Sequence, residues 1–379
     1  MFRAANNFGT DRMESKKGHT ICKEKARLGP GAKYRWFMRQ ARMKISSKED
    51  RAVYHCISRV VDRRFIFGPG EKERFVELMR EYEQFCGVQV LTYCLMSNHF
   101  HILVEVPKRP ETLPTAEEVL ERLRGLSGAA ISAGKAEQML AMFAQAQNAQ
   151  GAAEYLEQFY QRMWDVSEFI KLIKQRFSQW YNRQTKRKGT LWEERFKSVL
   201  VEGEGDSLGT MAAYIDLNPV RAGLVSDPAE YRWSGYGEAM SGRRRAKEGI
   251  QRLYGLTVGQ LEVNRTESLQ AYRVRIFAHG EAGREGIDET AQPLRRGLDR
   301  EAVVRMLLQK GRIGIDEYLQ CRVRYFSDGV ALGSREFVDA MFQKFRDHFS
   351  IQRTTGARRM RGLEPELFTA RDLRVSVFA

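Results

Sequence analysis

Histidine and cysteine are scarce in this sequence, and each scarcity narrows the reading. Only 6 His occur among 379 residues, so two of them close together carry weight. The five cysteines (Cys22, Cys56, Cys86, Cys94 and Cys321) are scattered and form no CxxC pair. An odd, dispersed set argues against a disulfide framework and for reduced thiols in a cytoplasm. No apolar run approaches the roughly 20 residues that a membrane helix needs. The basic N-terminus is not followed by the apolar stretch of a secretory signal. Acid is locally absent too: residues 171–188 hold 7 Lys/Arg and no Asp or Glu.

Positive charge is what the chain has in excess. Lys and Arg number 63 against 48 Asp and Glu, a formal net charge of +15. Residues 1–50 supply 13 Lys/Arg against 5 Asp/Glu, more than half of that surplus. Such a balance favours an anionic partner, most simply nucleic acid. Hydrophobic content of 42% and aromatic content of 11% are those of a folded protein. The length allows two or three domains.

The rest is organised around residues 91–107, LTYCLMSNHFHILVEVP. As a strand this places Phe100, Ile102, Val104 and Val106 on one face, with His99, His101, Leu103 and Glu105 on the other. One face can pack on a core. The other offers two imidazoles two strand steps apart, close enough to share a metal ion; a pair of surface histidines has the same pattern.

Around it the periodicity switches predictably. Residues 51–61 alternate as a first strand. Residues 71–86 carry Phe75, Leu78, Met79, Tyr82 and Phe85 at helical spacing, and Gly87 ends that helix. Residues 88–96 make a second strand, and Ser97-Asn98 turns into the histidine strand. This order predicts an α/β fold of the α+β sandwich kind: a ferredoxin-like or RRM-like antiparallel sheet with helices on one face. Residues 108–164 read as a helical insertion with helices near 115–127 and 135–160. Residues 166–183 form an amphipathic helix with a stripe of Phe169, Ile170, Leu172, Ile173, Phe177 and Trp180, and Ser167 as a candidate N-cap. A strand over 190–202 and a helix over 207–217 follow, the helix stopping at Asn218-Pro219 because a residue before proline is pushed out of α geometry. Tyr214 and Asn218, four apart, share a helix face or its last turn. The aromatics of 231–236 close the core.

Four segments are expected: a basic arm over 1–48, with an aromatic patch at Tyr34, Trp36 and Phe37; an α/β core over 49–107 with 165–240; the insertion 108–164; and a mostly helical accessory region over 241–379. The last begins with a linker at 241–247 and carries helices at 299–310, 315–323 and 334–348, the last capped by Ser334. Three short helices permit a DNA-binding module of helix-turn-helix type.

In order, YHCISRVVDRRFIF, LMSNHFHILVEVP, GTLWEERFKSVLVE and YIDLNPVRAGLV resemble the HUH superfamily of single-strand endonucleases, and more narrowly the REP-associated tyrosine transposases among its single-tyrosine members. The resemblance covers roughly 50–107 and 166–236. It implies that His99, His101 and the Asn218 amide oxygen hold Mg²⁺ or Mn²⁺, and that Tyr214 attacks a DNA phosphate to give a 5′-phosphotyrosine. It implies single-stranded or hairpin DNA as partner, a bacterial cytoplasmic, nucleoid-associated setting, and either a monomer or a homodimer. The cations best placed for phosphate are Lys174, Arg183, Lys186, Arg187, Lys188, Arg195 and Lys197. The alternative is a catalytically silent regulator that binds hairpins on the same fold. A zinc hydrolase is disfavoured, since no third His or Cys completes a zinc site. His55 reads as structural, Glu105 as a rim carboxylate and Tyr93 as core.

Overall fold

The computed structural model describes residues 42–260, 262–278, 313–314, 324–360, 363–364 and 367–371, all within the unit Ala41–Ala379. The aromatic patch at 34–37 and the expected helices at 299–310 and 315–323 lie outside them. Strands β1 (Ala52–Arg59), β2 (Gln89–Leu95) and β3 (His99–Val106) arise where the alternation predicted them. Helix α1 (Pro69–Cys86) opens with proline in its first turn and ends on Gly87 at φ 62°, a left-handed turn that glycine adopts without strain. Three helices fill the insertion, one more than expected: α2 (Ala116–Arg124), α3 (Ala130–Gln145) and α4 (Ala149–Tyr160).

Helix α5 (Val166–Gln184) is capped by Asp165, not Ser167, because the carboxylate of Asp165 accepts from the amides of Ser167 and Glu168 at 2.7 and 3.1 Å. Strand β4 is confined to Lys197–Val201. Helices α6 (Gly205–Asp216), α7 (Asn218–Arg221) and α8 (Gly235–Met240) follow.

The described residues beyond 241 are mostly helical, but they start differently from the expectation and include short strands. The first of them form no linker: α9 (Arg244–Val258) starts there, and α10 (Arg265–Ala278) packs beside it. The later ones add strands. A small parallel pair joins β5 (Ile313–Gly314) to β8 (Leu363–Glu364). Strands β6 (Ala331–Gly333), β7 (Arg358–Arg359) and β9 (Phe368–Thr369) extend the main sheet, whose order is β2-β3-β1-β4-β6-β9-β7. The β4–β6 pairing is parallel and the others are antiparallel. The expected helix at 334–348 appears as Arg335–Lys344, with Ser334 accepting from the amide of Phe337.

The mixed α/β reading holds, but helices cover both sheet faces. On one face Tyr54, Phe100, Ile102 and Val104 pack with α1 and α5. On the other, Val53, Leu91, Leu103 and Val199 pack under α6, α8, α9 and α10. The second layer was hidden because its helices come from the far part of the chain. Gly249 on α9 shows how closely that layer sits: a Cβ there would lie 2.6 Å from the Val90 carbonyl oxygen and 2.8 Å from that of Leu91. An exposed helical Gly→Ala change gains about 1 kcal/mol. Here the backbone contact reverses the sign, and Gly249→Ala should lower stability by about 1–3 kcal/mol as α9 is pushed off the sheet. Urea denaturation of the two proteins checks this, and equal midpoints would rule it out.

Candidate active site

The antiparallel register sets the site. His55 pairs with Leu103, Ile57 with His101 and Arg59 with His99. Odd-numbered residues of β1 and β3 therefore share a face, with His55 diagonal to His101. The rings of His99 and His101 lie 5.1 Å apart, centroid to centroid. His99 Nδ1 stands 2.7 Å from Asn98 Oδ1. Asn98 Nδ2 donates to the Arg63 carbonyl at 2.9 Å, which fixes which end of the amide faces His99. An amide oxygen only accepts, so His99 carries its proton on Nδ1 and its lone pair on Nε2.

Helix α6 lies across β2, β3 and β4 on this face. Its Asp216 carboxylate anchors it, accepting from Thr92 Oγ1 of β2 at 2.8 and 2.9 Å, from the Tyr272 hydroxyl of α10 at 2.7 Å and from the Tyr236 amide of α8 at 3.2 Å. Complete burial pushes Asp216 up to about 7, against the pull of those hydrogen bonds.

Anchoring α6 in this way brings Tyr214 to the imidazoles. Its ring centroid lies 6.3 Å from His101 and 6.4 Å from His55, edge to face. Phe326 stacks on it at 4.5 Å, and the Arg221 guanidinium sits 4.2 Å above it while also donating to the Tyr214 carbonyl. The expected open face is not there. Tyr214 is 3% exposed, because α6 and the short helix Tyr325–Asp328 close over the sheet.

Asn218 Nδ2 donates to the carbonyls of Tyr214 and Ile215 at 3.3 and 3.1 Å, which turns the nitrogen end of its amide onto the end of α6. The helix stops at Asp216, but the chain re-enters helix at Asn218 with Pro219 in the first turn, where proline is tolerated. That continuation is what carries Arg221 back over Tyr214.

The expected phosphate contacts divide. Arg183, Lys186, Lys188 and Arg195 are exposed. Arg187 is half-buried, with an Nη1 that has no hydrogen-bond partner. Lys174 donates to the Glu194 carbonyl at 3.0 Å and sits over the Trp192 ring, and its burial pulls it down to about 8. It is a packing cation. Lys197 pairs with Asp328 at 3.0 Å, although its register with Ile57 sets it one strand from the imidazoles. Glu105 is no rim carboxylate: it is buried and held by Arg252 of α9 through bonds of 2.9 and 2.7 Å. Tyr93 is core, bonded to Glu238 at 3.0 Å. Sequence reasoning missed Arg221 and Arg59; the period-two pattern His55, Ile57, Arg59 was the available signal for the latter.

Residues 48–134 match a family described as "Transposase IS200 like". The match spans His99 and His101 and ends before Tyr214 and Asn218. It agrees with the resemblance read from the motifs. No curated protein matches the chain. Among solved structures, the chain is similar to one titled "Structure of the REP associates tyrosine transposase bound to a REP hairpin", with 12% identity, a TM-score of 0.32, and coverage of 57% of this chain and 90% of that one.

Proposed function

We propose that this chain nicks and joins single-stranded DNA at hairpins, with Tyr214 as nucleophile. The observation that carries the reading is the arrival of Tyr214, from α6, beside His101 on the same sheet face and in the same chain. The donor set is of mixed nitrogen and oxygen character, with no thiolate. Two imidazoles with ring centroids 5.1 Å apart, at least one with its lone pair on Nε2, together with an amide oxygen and water, suit Mg²⁺ or Mn²⁺ better than a thiolate-loving ion, the oxygen donors supplying the hard part of the shell. His99, His101 and Asn218 would hold it; there it would polarise the scissile phosphate.

The chain's own residues do the rest. The Tyr214 oxygen attacks phosphorus and loses its proton. The P–O3′ bond breaks, and the departing 3′ oxygen takes up a proton. The DNA is left as a 5′-phosphotyrosine plus a 3′-hydroxyl, and attack by a second 3′-hydroxyl reverses the step, joins the strands and frees Tyr214. The Arg221 guanidinium lies over the Tyr214 ring in a cation–π contact that holds the ring in place. Arg59, opposite His99, together with Arg183, Lys186, Arg187, Lys188 and Arg195, supplies charge for the DNA backbone.

The test is to incubate end-labelled hairpin DNA bearing a single-stranded extension with the protein and Mn²⁺. A denaturation-resistant protein–DNA adduct is expected, and EDTA should abolish it. One observation favours a second reading, a silent hairpin binder: the 3% exposure of Tyr214 under Phe326. Hairpin retention with no adduct at any Mn²⁺ concentration would select it.

A further inference from the structure

His55 lies on the site face, is fully buried, and has no part in the reaction just described. Its Nδ1 is 2.8 Å from the Phe326 carbonyl oxygen, and its Nε2 is 2.9 Å from His101 Nδ1. The two ring centroids are 5.1 Å apart and their planes 19° apart, so the 2.9 Å contact runs nearly along the line joining the centroids and close to both ring planes. We infer that His55 is a positioning residue that sets the tautomer of His101 and so aims its Nε2 lone pair at the cation. This rests on the proposed metal site and adds to it the origin of its donor geometry.

The chain of argument is short. A backbone carbonyl only accepts, so the proton of His55 is on Nδ1. A neutral imidazole then has its lone pair on Nε2, and the 2.9 Å contact requires His101 Nδ1 to donate to it. The lone pair of His101 is thereby assigned to Nε2, matching His99, whose tautomer is set separately by Asn98 and the Arg63 carbonyl. Two backbone carbonyls, from segments far apart in sequence, thus make both imidazoles present the same nitrogen. An imidazole ligand generally donates its other N–H to a partner that holds the ring and strengthens it as a ligand. A second imidazole in that role works only because Phe326 fixes the relay.

The test uses the full chain with ¹⁵N-labelled histidine and Mn²⁺ alone as probe. In the metal-free wild type, the ¹H–¹⁵N pattern of His101 should show Nδ1 protonated and Nε2 bare. His55→Phe, which fills the space without accepting, should weaken Mn²⁺ binding by about 10- to 100-fold and scramble that pattern. His55→Gln places an acceptor near Nε2 and should restore most of the affinity. A wild-type His101 protonated on Nε2 would overturn the inference whether or not the Phe variant folds. So would a folded His55→Phe protein that binds Mn²⁺ as tightly as wild type. A wild type that shows the expected tautomer yet binds no Mn²⁺ would instead remove the metal site and leave the relay standing.

Discussion

Tyr214→Phe is expected to eliminate the covalent DNA adduct, a loss on the order of 10⁴-fold or more in its rate of formation, while leaving hairpin affinity unchanged. The size follows from chemistry: removing a nucleophile deletes the step itself. The selectivity follows from structure. Every contact described for the side chain belongs to the ring: Phe326 at 4.5 Å, His101 and His55 at 6.3 and 6.4 Å, and the Arg221 guanidinium at 4.2 Å. Phenylalanine keeps those contacts, so stability should change by no more than about 1 kcal/mol. Labelled hairpin DNA run on a denaturing gel measures the adduct, fluorescence anisotropy measures affinity, and thermal melting confirms the fold. An adduct that persists at wild-type rate in the Phe variant removes Tyr214 from the mechanism.

What was legible from the sequence was local. Period two in 51–61 and 88–106 and period 3.6 in 71–86 and 166–183 specified β1 to β3, α1 and α5, because each side-chain pattern fits one backbone geometry. Proximity between distant segments was not legible. The carbonyl that orients His55 comes from Phe326, 271 residues away. Arg221 lay beyond an expected helix stop that the chain answers by opening a new helical turn at Asn218. Strands β6, β7 and β9, at two or three residues each, are too short for alternation to show. A basic run cannot say which of its cations are engaged inside the protein: Lys174 and Lys197 are, whereas Arg183 and Lys188 reach solvent.

Among the described carboxylates, Asp216 carries the largest expected dependence on pH. Its carboxyl, ordinarily at 3.8, is pushed up to about 7 by burial. The folded chain therefore keeps a proton that the unfolded chain gives up from about pH 4. Stability from this group is fully present below the unfolded value and is lost as pH rises through about 7, by on the order of 4 kcal/mol for a shift of about three units. His55 works in the opposite sense. Burial holds it down to about 4 from 6.5, so its contribution is lost as pH falls from about 6.5 to 4. Between those limits the two slopes oppose each other, and the wild type should be nearly flat with respect to this pair. Asp216→Asn removes one slope and keeps an acceptor for the Thr92 hydroxyl and the Tyr236 amide, with Tyr272 free to rotate and accept in turn. The variant should gain stability on going from pH 4 to 6.5, and its stability relative to wild type should rise across the window from 4 to 7. Taking the difference cancels every other titrating group, including the remaining histidines. Denaturation midpoints measured for both proteins at half-unit steps decide it: a difference that stays constant from pH 4 to 8 would mean that the Asp216 carboxyl titrates alike in the folded and unfolded chains, and that the bonds from Thr92, Tyr272 and Tyr236 fully offset its burial.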